Sequence, residues 1–146
     1  MAAEYIATEQ SVALNNPILF TASIPCRRGC IYHEDGQGVF ILRGNTNQCF
    51  AQYQVVYNGN IAVAEGGAVT PIALSLAVNG ETRPSSTAVF TPSAVGEFGN
   101  VTSTAIIKVP RGCCFSLSVD YVSATTATPT PVIDVQNSNL TITRIA

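Results

Sequence analysis

The chain has 146 residues, seven Lys or Arg, nine Asp or Glu and a formal net charge of −2. Charged residues make up only 11%, well below the roughly 25% of ordinary globular domains. With one lysine, Lys108, no basic cluster beyond Arg27-Arg28 and no interleaving of basic and aromatic residues, nucleic-acid binding is not expected. No apolar run is long enough to span a membrane, and Met1-Ala-Ala-Glu-Tyr-Ile lacks the basic start and apolar stretch of a signal peptide.

In chain order, residues 1–10 read as a short arm or first edge strand. Ser11–Leu14 and Ile18–Ile24 read as strands around the Asn15-Asn-Pro17 turn. A Pro25-Cys-Arg-Arg-Gly29 turn, a short strand Cys30–His33, the Glu34–Gly38 loop and a strand Val39–Arg43 follow. After the polar Gly44–Asn47 loop, Gln48–Tyr57 alternates Phe50, Gln52 and Gln54 with Cys49, Ala51, Tyr53, Val55 and Tyr57. Asn58-Gly59 predicts a hairpin turn, with Ile61–Ala64 pairing back.

The C-terminal half is strand after strand. Ile72, Leu74, Leu76 and Val78 share one face of the Thr70–Val78 strand, which Asn79-Gly80 ends as a second hairpin signal. Thr87–Thr91 and Val101–Val109 follow, then Cys113–Val122, where Phe115, Leu117, Val119 and Tyr121 share a face. Ser123–Pro131 is a Thr/Pro-rich connection, and Leu140–Ile145 is the last strand. Period-2 alternation throughout, with no helical stripe, predicts an all-β, two-sheet antiparallel sandwich or jelly roll of about ten strands. One domain at 11–146 follows the arm at 1–10. So low a charge favours a chain that buries surface against copies of itself.

No catalytic group stands out. The single histidine, His33, lies three residues after Cys30, on opposite faces of an extended strand, and there is no Gly-x-Ser-x-Gly elbow, phosphate loop or dinucleotide fingerprint. Glu34-Asp35 is too sparse for a calcium cage. The scattered acids give no support to a carboxylate pair. Cys26, Cys30, His33 and Cys49 offer zinc-ligand types, but no Cys-x-x-Cys knuckle is present and Cys49 falls mid-strand. No metal or cofactor is expected, and the odd count of five cysteines reads as free thiols. Asn100-Val-Thr102 and Asn139-Leu-Thr141 match glycosylation sequons but read as ordinary strand residues.

Five segments carry a resemblance: Leu42-Arg-Gly-Asn-Thr-Asn-Gln-Cys49, Asn58-Gly-Asn-Ile-Ala-Val63, Ile72–Gly80, Val109-Pro-Arg-Gly-Cys-Cys114 and Val135-Gln-Asn-Ser-Asn-Leu140. Together they resemble a small β-domain of clostridial bacteria and their phages. That domain is similar to the C-terminal domains of collagen-like exosporium glycoproteins, which belong to the tumour necrosis factor and complement-type jelly rolls. The resemblance spans about residues 10–146 and implies a non-enzymatic homotrimer with one sheet of each protomer around the three-fold axis. Tyr53, Val55, Tyr57, Phe115, Leu117, Val119 and Tyr121 are the candidate axis-facing residues, with the protomer core as their alternative place.

No Gly-X-Y collagen stalk is present. A free-standing trimer of this kind fits a virion component made in a bacterial cytoplasm. The expectation is a decoration protein on the phage capsid surface, with the major capsid protein shell as partner. The arm residues Met1, Ala2, Ala3, Glu4, Tyr5 and Ile6 would contact the shell. The alternative is a trimeric fibre tip or a spore or cell-surface adhesion module binding a host glycan or protein.

Overall fold

The computed structural model describes residues 2–24, 29–123 and 130–146. Met1, the Pro25–Arg28 part of the expected turn and most of the Thr/Pro-rich connection lie outside the described residues.

Eleven strands are formed among the described residues: β1 (Ala2–Val12), β2 (Ala22–Ile24), β3 (Ile31–Tyr32), β4 (Phe40–Arg43), β5 (Phe50–Val63), β6 (Ile72–Val78), β7 (Glu81–Thr82), β8 (Ala88–Phe90), β9 (Gly99–Pro110), β10 (Cys114–Ser123) and β11 (Ile133–Arg144). They make two antiparallel sheets. One has the order β2-β1-β11-β5-β9; the other has β3-β4-β10-β6-β7, with β8 also paired to β6. The core lies between the sheets and is filled by the inward half of each alternating strand.

Two expectations are corrected. The Asn58-Gly59 hairpin is not formed, because β5 runs unbroken for 14 residues. Gly59 serves a different need: a Cβ there would lie 2.3 Å from the Tyr57 hydroxyl, so the absent side chain makes room for a phenol lying across the strand. Ile61–Val63 therefore stays in β5 and pairs with β11 and, at Ile61, with β9. The second signal does turn the chain, with Asn79 and Gly80 both at positive φ (54° and 83°) between β6 and β7.

The boundary at residue 10 is the second correction. Of the two readings of residues 1–10, a short arm or a first edge strand, the structure forms a strand, which crosses residue 10 and has a neighbour on each side. β1 pairs with β11 from Ala2↔Thr143 to Val12↔Ile133 and with β2 on its other side. Ala3, Tyr5, Ala7 and Val12 point into the core. The Tyr5 ring meets Phe40 edge-on at 4.5 Å between centroids.

Candidate functional site

The outward face of the five-stranded sheet sets four long strands, β1, β11, β5 and β9, side by side. Strand registers place its residues in rows across β1, β11, β5 and β9. One row is Ala2, Thr143, Gln54 and Ile106; the next is Glu4, Thr141, Val56 and Thr104; a third is Ile6, Asn139, Asn58 and Thr102. Asn60 and Asn100 extend the lattice beyond. These positions alternate with the core residues Tyr53, Val55, Tyr57, Val101 and Leu140, so the pleat alone turns them outward.

These three rows are polar and carry almost no charge; Lys108, opposite Gln52, lies one row further along the same face. Asn100 Nδ2 donates to Asn58 Oδ1 (2.8 Å) and Asn60 Oδ1 (3.2 Å), and Thr102 Oγ1 donates to Asn58 Oδ1 (3.2 Å). Across these rows Glu4 is the single ionisable group, and its carboxylate accepts from Asn139 Nδ2 at 2.7 Å. Ile6 and Ile106 are exposed at its two sides. Side chains already tied to one another lose little freedom when another surface covers them. Both sequon asparagines lie on this face, as strand residues.

The expected axis-facing residues are not on it. Tyr53, Val55, Tyr57 and Val119 are 0% exposed in a single protomer, and Leu117 and Tyr121 are 1% exposed. Phe115 is half-buried against the same core. They fill the protomer because the period-2 pattern marks the inner face of each sheet, and one protomer is enough to cover that face. Each buried phenol has a partner inside the chain: Tyr53 with the carbonyls of Cys30 and Arg43, Tyr57 with Ser138 Oγ at 3.0 Å, and Tyr121 with the Pro131 carbonyl at 2.8 Å. Burial pushes the Tyr57 phenol up to about 12, against a smaller opposing effect of the Ser138 hydrogen bond. The outward residues could have been found in the sequence as the polar half of the β5 alternation, Gln52, Gln54 and Asn58.

The arm residues divide the same way. Ala3 and Tyr5 face the core, Glu4 is held by Asn139, and Ala2 and Ile6 are exposed on the sheet face. Met1 lies outside the described residues.

Among the described residues, the zinc candidates Cys30, His33 and Cys49 form no metal-holding group. Cys26 lies outside the described residues. Among those described, no group of three or more His, Cys, Asp or Glu side chains could hold a metal ion. Cys30 is buried and Cys49 is exposed. His33 stacks on Phe40 (centroids 4.2 Å apart) and bonds the Gln37 carbonyl through Nε2 at 2.8 Å, while its buried Nδ1 has no hydrogen-bond partner. A groove of about 600 Å³ opens at the β6/β9 edge, lined by Val78, Glu81, Arg83, Ile106, Lys108 and Phe115 among others. It brings one carboxylate beside two cations, without a thiol or imidazole in its walls.

No protein-family model matches the sequence, and no curated protein matches it. Solved structures do. The globular domain of a zebrafish complement 1qA protein superposes with a TM-score of 0.67 at 9% identity, covering 99% of this chain and 97% of that one. The chain has the complement C1q and tumour necrosis factor type of jelly-roll fold. The Eiger tumour necrosis factor of S. frugiperda (TM-score 0.65, 12% identity, 100% of this chain and 92% of that one) shares it. So does murine APRIL, at 0.65 and 8% over 99% and 98% of the two chains. At these identities the likeness is one of fold.

Proposed function

We propose that this chain is a non-enzymatic structural protein that works as a homotrimer, with the outward face of the five-stranded sheet turned to the three-fold axis. The observation that carries the reading is that face: four long strands, three registered rows of Asn, Gln, Thr and aliphatic residues, and one internally bonded carboxylate. Like charges facing a symmetry axis repel one another, and these rows have almost none to bring there. The fold type and the scarcity of charge in the whole chain support the same reading.

On this reading the trimer is a decoration protein on the outer shell of a phage capsid, a role supported by the sequence's likeness to a β-domain of clostridial bacteria and their phages. With β1 built into the sheet, contact with the shell falls to the loops at one end of the sandwich, repeated three times. Three simultaneous weak contacts would then give firm attachment. The test is size-exclusion chromatography with light scattering, followed by pelleting with undecorated capsids. A trimer that co-sediments is expected. A monomer would end the assembly reading; a trimer left in the supernatant would end the capsid role and favour a fibre tip or surface adhesion module.

A further inference from the structure

Cysteines are usually among the most buried residues. Here Cys30 is buried, but Cys49, Cys113 and Cys114 are all exposed. They also share one end of the sandwich. Two segments form that end: residues 43–49, which lead from β4 to β5, and the Pro110–Cys114 turn between β9 and β10. The Gly44 N–H donates to the Cys113 carbonyl (2.8 Å), Gly112 N–H to the Gly44 carbonyl (3.0 Å) and Cys113 N–H to the Pro110 carbonyl (2.9 Å). Gly44 is packed so closely that a Cβ would sit 2.1 Å from the Pro110 oxygen. The backbone that carries the thiols is therefore held in a fixed arrangement.

Two of these thiols stand opposite an arginine. Cys114 and Arg43 are register partners on β10 and β4, both exposed on the outer face of the six-stranded sheet. Directly opposed residues have Cβ atoms about 4.5–5.5 Å apart. Cys49 and Arg111 extend the β5–β9 ladder by one step beyond Phe50↔Pro110, with the Arg111 N–H on the Cys49 carbonyl at 2.9 Å. Arg144 reaches the same end, where Nη1 bonds Asn45 Oδ1 at 2.8 Å, and Lys108 lies over Phe50. None of the segments 43–49, 110–114 and 144–146 carries an Asp or Glu. The acids Glu9, Glu65, Glu97 and Asp134 belong to the opposite end, near Val63, while Glu81 lies in the groove beside Lys108 and Phe115.

We propose that this end is a modification site for small anionic disulfides, with Cys49 and Cys114 as the attacking thiols and Arg111 and Arg43 as the groups that draw the reagent in. The Cys sulfur, as thiolate, attacks one sulfur of the reagent. A new S–S bond forms to the protein and the reagent's S–S bond breaks. The departing sulfur leaves as a thiolate with the bond's electron pair and takes up the proton that the cysteine released to water. The reagent is the oxidant: it is reduced to one free thiol while the protein sulfur is oxidised to a mixed disulfide. The guanidinium groups of Arg43 and Arg111, with Arg144 and Lys108 at the same end, outnumber the side-chain carboxylate of Glu81 in the adjoining groove, and this balance favours approach of an anion over a cation at low ionic strength. Cys113 has no arginine as its register partner and serves as an internal comparison.

The test uses the native protein with oxidised glutathione (anionic) and cystamine (cationic), mixed-disulfide formation at each cysteine being followed by quenched peptide mass mapping. N-acetylcysteinamide gives the reference ratio of the two rates. At low salt the glutathione-to-cystamine ratio at Cys49 and Cys114 should exceed the reference several-fold. It should fall to the reference in about 1 M salt, where charges beyond roughly 3 Å are screened. Arg111→Gln should lower the ratio at Cys49 alone, and Arg43→Gln at Cys114 alone. A ratio equal to the reference at low salt, or thiols that react only after denaturation, would overturn the proposal. Salt dependence on the unsubstituted chain decides the matter even where a variant folds poorly.

Discussion

Gly59 lies mid-strand at a φ that is not positive, so its need for no side chain comes from space and not from backbone freedom. Gly59→Ala would drive a methyl group into the Tyr57 phenol, which burial and Ser138 hold in place. Overpacking of this kind costs about 1–3 kcal/mol, read as a lower midpoint in a denaturant titration with unchanged slope. A pair of variants, Gly59→Ala with Tyr57→Phe, should recover part of the loss if the clash is with the hydroxyl. Asp120 gives a second prediction at this scale. Partial burial raises its carboxyl above the ordinary aspartate range, opposed by the Ser118 hydrogen bond. Below the ordinary value the group is protonated in both folded and unfolded chains and costs nothing. As pH rises through that value the unfolded chain ionises first, so folding loses stability until the folded-state carboxyl ionises too. Asp120→Asn should therefore melt higher than the parent at pH 7, with the gap closing by about pH 3. A gap that widened in acid would refute this account.

β1 is where the element scale changes a conclusion. As a strand it lies between β2 and β11 and contributes Ala3, Tyr5, Ala7 and Val12 to the core. Deleting residues 1–10 would uncover the inner residues of β11, Val135, Leu140 and Ile142, and leave a long unpaired edge. The expected outcome is loss of cooperative unfolding and of soluble protein. Truncating a buried aromatic alone costs roughly 3–5 kcal/mol, against a total stability of about 5–15 kcal/mol, so Tyr5→Ala should be the milder version of the same defect. A deleted chain with a sharp, native-like thermal transition would show that β1 is dispensable after all. β6 makes the converse point: its six residues from Ile72 to Ala77 are buried on both faces, because the Arg83–Thr87 segment folds back onto Ser75. The sequence shows the large alternating residues there but not what covers the small ones.

At the scale of the whole molecule, the prediction concerns how copies meet. Val56 sits at the centre of the outward sheet face, between Thr141 and Thr104. Val56→Glu would bring three carboxylates towards the proposed axis, a like-charge cost multiplied by the symmetry. Light scattering should then give a monomer, while circular dichroism of the β-sheet stays unchanged because Val56 takes no part in the core. The Tyr53, Val55 and Leu117 positions offer no such test. They are sealed inside one protomer, and substituting them would unfold the chain before it altered assembly.

The sequence by itself determined the all-β class, the strand-rich C-terminal half, the Asn79-Gly80 turn and which residues of β5, β6 and β10 share a face, since period-2 alternation and turn chemistry act over a few residues. It pointed through its quoted motifs to the jelly-roll type that the solved structures share. What it left open depends on partners far along the chain. Whether residues 2–12 project or pair is decided by β11, more than a hundred residues away. Whether Asn58-Gly59 turns or runs straight is decided by the Tyr57 ring and by neighbours on both sides of β5. That Cys49, Cys113 and Cys114 share one end with Arg43 and Arg111 follows from two sheets stacked in register, and only tertiary structure brings those segments together.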